Sequence, residues 1–494
     1  MGTVPVSLTA RSQAGGALPN AGFLIRFRHL GTRVLSGTTG LPAASRTTTN
    51  GTPVRAAILF EQVNMAIGTQ QSSTTYTATD NGQSYRGPLI MVTTLFFMWG
   101  FLTCLNDILI PHLKAIFDLS YAQVMLVQMA FFGAYAVFSI PAGFITERVG
   151  YKPMMVAGLL TMAVGALLFV PAASMPSFPL FLAALIILAG GITVLQVAAN
   201  PYVALLGPAK TASSRLTLTQ AFNSLGTTIA PWFGGMLILA TAPKAASEIA
   251  KLLPAELQAY RIEQASSVKL PYVGIAVALV LLAVIIGRFK LPHITSAEGG
   301  HTVVKDDSIW KHPNLVLGAI GIFTYVGAEV AIGSFLVNYL HEPLIANLDL
   351  ETAAKYLSFY WGGAMVGRFI GSYVLQKMSP RTVLAANAFI AAALVCLSML
   401  TTGNVAMVSI LIIGFFNSIM FPTIFTLGIE GLGPLTGEGS GLLNTAIVGG
   451  AIIPWVQGII ADRIGIHHAF ILPAICYLYI VFFAIKGTPR KQAA

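Results

Sequence analysis

Charge is what this chain has least of: Asp, Glu, Lys and Arg make up 9% of its 494 residues, against roughly 25% in a soluble globular domain. That shortage excludes an ordinary water-soluble enzyme or binding module of this length. Cysteine is scarcer still, with Cys104, Cys396 and Cys476 all inside apolar blocks, so disulfides and thiolate metal sites are not expected. No H-E-x-x-H or G-x-S-x-G motif occurs, and the eight His lie mostly in loops or at helix ends. The Gly-rich stretch 431–441 lacks the Gly-Lys-Ser/Thr ending of a phosphate-binding loop. It reads instead as the loop between the tenth and eleventh apolar blocks. No cofactor and no metal are expected.

What the chain has in excess is long apolar runs. Hydrophobic residues reach 55%, in blocks such as 274–287 and 405–416. Blocks of about 20 apolar residues match a bilayer core about 30 Å thick, and they do not alternate as barrel strands do. The chain reads as an all-α membrane protein, with the lipid bilayer as its surroundings. Twelve spans are expected near 89–113, 122–146, 153–172, 178–206, 216–240, 270–289, 314–340, 354–376, 382–401, 405–429, 440–461 and 468–485. With the N-terminus inside, 20 Lys and Arg fall on inner segments and 7 on outer loops, while Arg368 lies within a span. The positive-inside bias therefore places both termini in the cytoplasm. The net charge of +10 is mostly this orientation signal, and no nucleic-acid partner is implied.

Residues 1–86 read as a disordered, basic tail, rich in Gly, Ser and Thr, with no acidic residue before Glu61. The working protein is expected to start near Met65, which intact mass of the natively expressed chain would check. The other segments read as a six-helix bundle over 87–290, a cytoplasmic linker over 291–312, a second six-helix bundle over 313–486 and a basic tail over 487–494.

The two bundles repeat one another. "PYVALLG" ends the fourth span and "PTIFTLG" the tenth. Pro231-Trp232 matches Pro454-Trp455, and Arg148 and Lys152 match Lys377 and Arg381, at nearly constant separation. A second relation is inverted: "GFITERVG" (143–150) at an inner helix end resembles "GIIADRIG" (458–465) at an outer one. Similar segments on opposite faces are expected when three-helix units repeat upside down, an architecture that puts a binding site near mid-membrane. A channel would not need such repeats.

"GFITERVGYK" resembles the loop signature of the major facilitator superfamily, with Glu147 for the usual Asp and Tyr151 for a basic residue. "NDILIPHL", "QVAANPYVALLGP", "RLTLTQAFNSLGTTIAP", "YVGAEVAIGSFL" and "FPTIFTLGIEGLG" resemble the fucose permease-like sugar transporters, most of all their glucose/galactose branch. The resemblance runs from about residue 90 to 485 and implies a twelve-helix fold of two six-helix halves, built from inverted three-helix repeats. It also implies secondary transport of a neutral monosaccharide across a bacterial inner membrane by a monomer.

Asn106 and Asp107 stand together in an apolar run. An ionised carboxylate there costs about 2.5–3.5 kcal/mol, so Asp107 is expected to bind and release the coupling proton; the plain alternative is a hydrated helix-end residue. The resemblance agrees, since the family uses an aspartate at this motif position in proton coupling. The family's fucose transporter has a second carboxylate where this chain has Gln196, and an amide cannot carry a proton. Gln196 and Asn200, one turn apart, should instead hold sugar hydroxyls. Glu329, mid-span, is the other candidate for proton coupling, unless it merely pairs with Arg368.

Gln220 and Asn223 share a helix face and join the sugar-contact candidates, the Asn standing at the family's "FNS" position. Asn417 is the repeat counterpart of Gln196, which would place amides on both walls of one site. Asn106 and Gln128 are further candidates, while Trp99, Tyr135, Tyr360 and Trp361 offer rings for stacking on sugar. Amides also bridge helices, and rings at span ends also anchor at the membrane surface. Gly143, Glu147, Arg148, Gly150 and Lys152 read as a gate latch, or more simply as a static loop anchor. Sodium coupling, with Asp107 and Glu329 as oxygen ligands, and facilitative transport stay open beside proton symport.

Overall fold

Proline and glycine set where the helices start and stop. Pro179, Pro313 and Pro380 occupy the first turn of their helices, where a missing N–H costs no intrahelical bond. The computed structural model describes residues 85–117, 121–175, 177–237, 252–266, 268–292, 294 and 307–487. The tail before residue 85, with its expected start near Met65, and residues 488–494 lie outside the described residues. So does most of the linker.

The first half comprises α1 (Arg86–Phe117), α2 (Tyr121–Val149), α3 (Tyr151–Ser174), α4 (Phe178–Leu205), α5 (Ala212–Leu237), a short α6 (Pro254–Ser266) and α7 (Lys269–Arg288). The second comprises α8 (Pro313–His341), α9 (Leu350–Lys377), α10 (Pro380–Leu400), α11 (Gly403–Asn417), α12 (Met420–Gly428), α13 (Thr436–Thr445), α14 (Gly449–Ile464), α15 (Ile466–Ala469) and α16 (Ile471–Lys486). α11 and α12 form one pass broken at Ser418–Ile419, and α13 and α14 form another. With α6 and α15 left out, the described helices make twelve passes. After an even number of passes, the described chain begins and ends on the same side, here called the base; the other side is the mouth.

Among the described residues ten segments are long and apolar enough to cross a membrane. α5 and α9 complete the twelve although their composition falls short. Their polar residues face one another: the Ser214 hydroxyl donates to the Ser372 carbonyl at 2.6 Å, and Arg368 donates to the Ser224 hydroxyl. A helix that turns polar groups to a neighbour rather than to lipid can be less apolar than an isolated span. The lipid-facing surface is elsewhere, in exposed apolar side chains such as Val164, Phe359, Phe389 and Leu478.

Small residues bring the helices close. A Cβ on Gly165 would lie 2.5 Å from the Leu188 nitrogen, and one on Gly191 2.5 Å from the Met162 nitrogen, so α3 and α4 pack backbone to backbone. The inverted repeat has a local counterpart. Gly150 ends α2 at φ 89°, ψ 164°, and Gly465 ends α14 at φ 85°, ψ 153°. The two "G…RVG/RIG" signatures thus fold alike on opposite faces, one at the base and one at the mouth. The direct repeat is looser: after α4 the positive-φ glycine is Gly207, whereas after α12 there are two, Gly431 and Gly433, the first three residues beyond Gly428.

One expectation is corrected. The stretch 431–441 is a loop only to Leu435; Thr436 opens helix α13. Gly437, Gly439 and Gly441 serve close approach rather than chain flexibility. A Cβ on Gly441 would sit 2.8 Å from the Ser139 carbonyl, and one on Gly143 2.7 Å from the Gly437 carbonyl, so bulkier residues would hold α2 and α13 apart.

Candidate functional site

In the first half the candidate amides hang from α4 and α5. From Leu188 to Ala204, α4 is buried at every residue but Val194, so any polar side chain there is enclosed by protein. The Gln196 amide donates to the Tyr135 hydroxyl of α2 at 2.5 Å. Asn200, one turn on, is fully buried, and both its amide atoms lack hydrogen-bond partners. An unpaired buried amide costs about 1–3 kcal/mol, so Asn200 holds bonding capacity that its surroundings do not use. On α5, Gln220 is buried and Asn223 half-buried. The Asn223 amide donates to the Phe96 carbonyl of α1 at 2.9 Å, and the Gly100 and Gly226 positions show the α1 and α5 backbones in contact. Trp99 is buried and packs on Phe96 with ring centroids 4.9 Å apart; it is no surface anchor.

The structure continues α1 as helix through Asn106 and Asp107 to Phe117, which moves Asp107 farther from the helix end than the span 89–113 implied. The side chains of Asn106, Asp107 and Gln128 lie outside the described residues.

In the second half a tighter network sits at similar depth. Tyr325, four residues before Glu329 and on the same face of α8, donates to the Asn417 carbonyl at 3.1 Å. The Asn417 amide donates to the Tyr360 hydroxyl at 2.8 Å, which donates to the Glu329 carbonyl at 3.1 Å. Tyr360 and Asn417 are both 0% exposed; they bond to one another away from solvent, while Oδ1 of Asn417 keeps no hydrogen-bond partner. Trp361 is 43% exposed, with its ring against Gly333. The Glu329 carboxylate faces the Arg368 guanidinium at 3.8 Å, so these two charges do pair. Tyr325 and Ser224 escaped the sequence reading; only the four-residue spacing from Tyr325 to Glu329 could have flagged the first of them.

At the base the halves meet. Oε1 of Glu147 accepts from the Glu438 backbone N–H at 2.8 Å, in the first turn of α13. The Ser440 hydroxyl donates to the Val197 carbonyl at 2.8 Å, and Ser213 and Thr426 share a hydrogen bond of 2.6 Å. Arg148 is exposed and Lys152 half-buried beside this contact. Among the described residues no three His, Cys, Asp or Glu cluster as metal ligands would.

Two bundles of six passes, joined from the base to mid-depth and carrying polar groups there, define a membrane transporter rather than an enzyme. Residues 89–453 match the Major Facilitator Superfamily, and the chain belongs to that family. It is 51% identical over 424 residues to a Brucella abortus protein named glucose/galactose transporter, covering 86% of this chain and 100% of that one. It is 36% identical over 428 residues to the Escherichia coli L-fucose-proton symporter, covering 85% and 98%. A crystal structure of a fucose transporter of the same superfamily, in the outward conformation, superposes with a TM-score of 0.77 at 36% identity, over 82% of this chain and 100% of that one. The family resemblance read from the motifs is thereby borne out.

Proposed function

We propose that the chain imports a neutral monosaccharide, glucose or galactose first and fucose next, by proton symport with alternating access. The observation that carries this is the 51% identity along the full length of the Brucella transporter. The buried amides add support: they offer donors and acceptors to hydroxyls without bringing a charge. In this reading Gln196, Asn200, Gln220 and Asn223 take the hydroxyls, Trp99 offers a ring, and Asn106 and Gln128 extend the same wall. Asn417 and Tyr360, bonded to each other, form the opposite wall, with Trp361 behind it. Asp107 carries the proton, and Glu329 is the second acidic group of the cycle.

The base faces the cytoplasm of a bacterial cell across its inner membrane, the bundles span 87–290 and 313–486, and the transporter works as a monomer. Glu147 latches the base shut: a carboxylate at the first turn of α13 is held by a backbone N–H and by the helix dipole. Gly143 and Gly150 shape this corner, and Arg148 and Lys152 supply its charge.

The test is uptake of labelled glucose, galactose and fucose into proteoliposomes under a proton gradient, a sodium gradient or neither. Accumulation driven by protons alone supports the reading. Accumulation driven by sodium alone would make Asp107 and Glu329 cation ligands, and equilibration without accumulation would remove coupling altogether.

A further inference from the structure

The seam between α5 and α9 runs antiparallel from the base to mid-depth and beyond. Ser214 meets Ser372, Phe222 meets Phe369 with ring centroids 5.9 Å apart, Ser224 meets Arg368, and Thr228 meets Met365. Of these residues Arg368 alone is charged, and it is mostly buried, at 15% side-chain exposure. Its guanidinium is shared three ways. Nη1 donates to the Ser224 hydroxyl of the first half. Nε donates to the Ser418 carbonyl at 3.4 Å, a group freed by the break between α11 and α12. Nη2 stands 3.8 Å from Oε1 of Glu329.

That last distance is an ion pair but not a hydrogen bond. Oε1 of Glu329 is buried and has no hydrogen-bond partner, although a guanidinium with five donors is beside it. The carboxylate is thus one bond short because Arg368 is drawn toward Ser224. The Ser224 hydroxyl is committed too: it donates to the Gln220 carbonyl at 3.1 Å, leaving its lone pairs for Arg368. Its own carbonyl accepts from both Thr227 and Thr228, at 2.7 and 2.8 Å. Such back-bonding loosens a helix locally and often bends it. Ser224 also directly follows Asn223, which is tied to α1.

We propose that Arg368 is a positioning residue with two stations: with the seam closed it spans from Ser224 to Glu329, and when α5 withdraws it folds onto the open oxygen of Glu329. A buried guanidinium does not give up a bond without taking another, and the unpaired oxygen is the place prepared for it. The two arrangements exclude each other, which makes the pair a two-state element that joins the helix of Gln220 and Asn223 to the carboxylate of the other half. Glu329 then serves as the counter-ion that receives Arg368, not as the group that releases the transported proton. This rests on the alternating-access part of the proposed function.

The experiment places spin labels at Lys210→Cys and Lys377→Cys, exposed positions at the base on opposite halves, in full-length protein with its native cysteines replaced. Distance distributions are recorded in lipid without any sugar, so failure of the sugar reading leaves this result standing. Ser224→Ala is expected to raise the base-open fraction about tenfold, the weight of one hydrogen bond to a charged group, and to raise the KM for external substrate with little change in maximal exchange rate. Arg368→Lys should fall between, since a single ammonium cannot serve three acceptors at once. Arg368→Gln leaves Glu329 unpaired and should lower the yield of folded protein; Arg368→Gln with Glu329→Gln should restore the yield while keeping the open-shifted distances of Ser224→Ala. Unchanged distances in Ser224→Ala, or wild-type distances in the double variant, would reduce Arg368 to a static structural pair and overturn the proposal.

Discussion

At mid-depth the first half presents amides: Gln196 on α4 and Asn223 on α5 each reach a neighbouring helix through one hydrogen bond, while Asn200 leaves both amide atoms unbonded. The second half, at similar depth, holds a carboxylate facing a guanidinium, with phenols that bond the Asn417 amide and backbone carbonyls. The helices differ as well. α4 runs unbroken through Pro201 for 28 residues, whereas its counterpart breaks at Ser418–Ile419 into α11 and α12. Duplication preserved the packing plan but not the chemistry. Amides can exchange their bonds with a hydroxylated solute at little cost. A half that buries opposite charges must keep them near one another in every state, so it is suited to storing a conformational choice rather than to reading a ligand.

Substitutions break or sharpen this contrast, and the first also tests the coupling outside it. Asp107→Asn should abolish proton-driven accumulation while sugar counterflow survives; accumulation that persists in the variant would exonerate Asp107. Next is the base seam. Gly143→Val forces a side chain against the Gly437 carbonyl, 2.7 Å from its Cβ, and overpacking of about 1–3 kcal/mol should cut uptake by roughly tenfold to a hundredfold with bilayer insertion intact. Spin labels across the base would report whether it stays open; a closed base in the variant would refute the account.

The two halves are then compared directly by one substitution in each. Asn223→Ala should raise the KM about tenfold through one lost polar contact, read from initial uptake rates. Tyr360→Phe removes the donor to Glu329 and the acceptor for Asn417. It should lower stability by about 1–3 kcal/mol, seen as a lower Tm in detergent, with a nearly unchanged KM. Equal effects of both on KM would erase the proposed division between a reading half and a storing half.

Much of the fold was legible because the bilayer imposes length and apolarity on each pass. The passes that composition identified least clearly, α5 and α9, are those whose polar residues meet in the seam between halves; burial against another helix, not lipid, decides their content. The glycines of 431–441 misled for a related reason. In isolation they read as a loop, and only the nearness of α2 shows that Gly437 and Gly441 make room for a backbone. Gln196 and Asn200 were identifiable as polar residues on one helix face, but nothing local foretold that Gln196 would bond Tyr135 while Asn200 would keep both amide atoms unused. Those outcomes depend on partners distant in the chain.

The matched glycines carry a consequence of another kind. Gly150 and Gly465 close their helices in the same conformation on opposite faces, so this helix-ending corner by itself carries no sense of up or down. Orientation is then left to charge, with 20 Lys and Arg on the segments of one face against 7 on the other. The same corner can serve either leaflet, and which leaflet it meets is written in loop charges and not in its backbone.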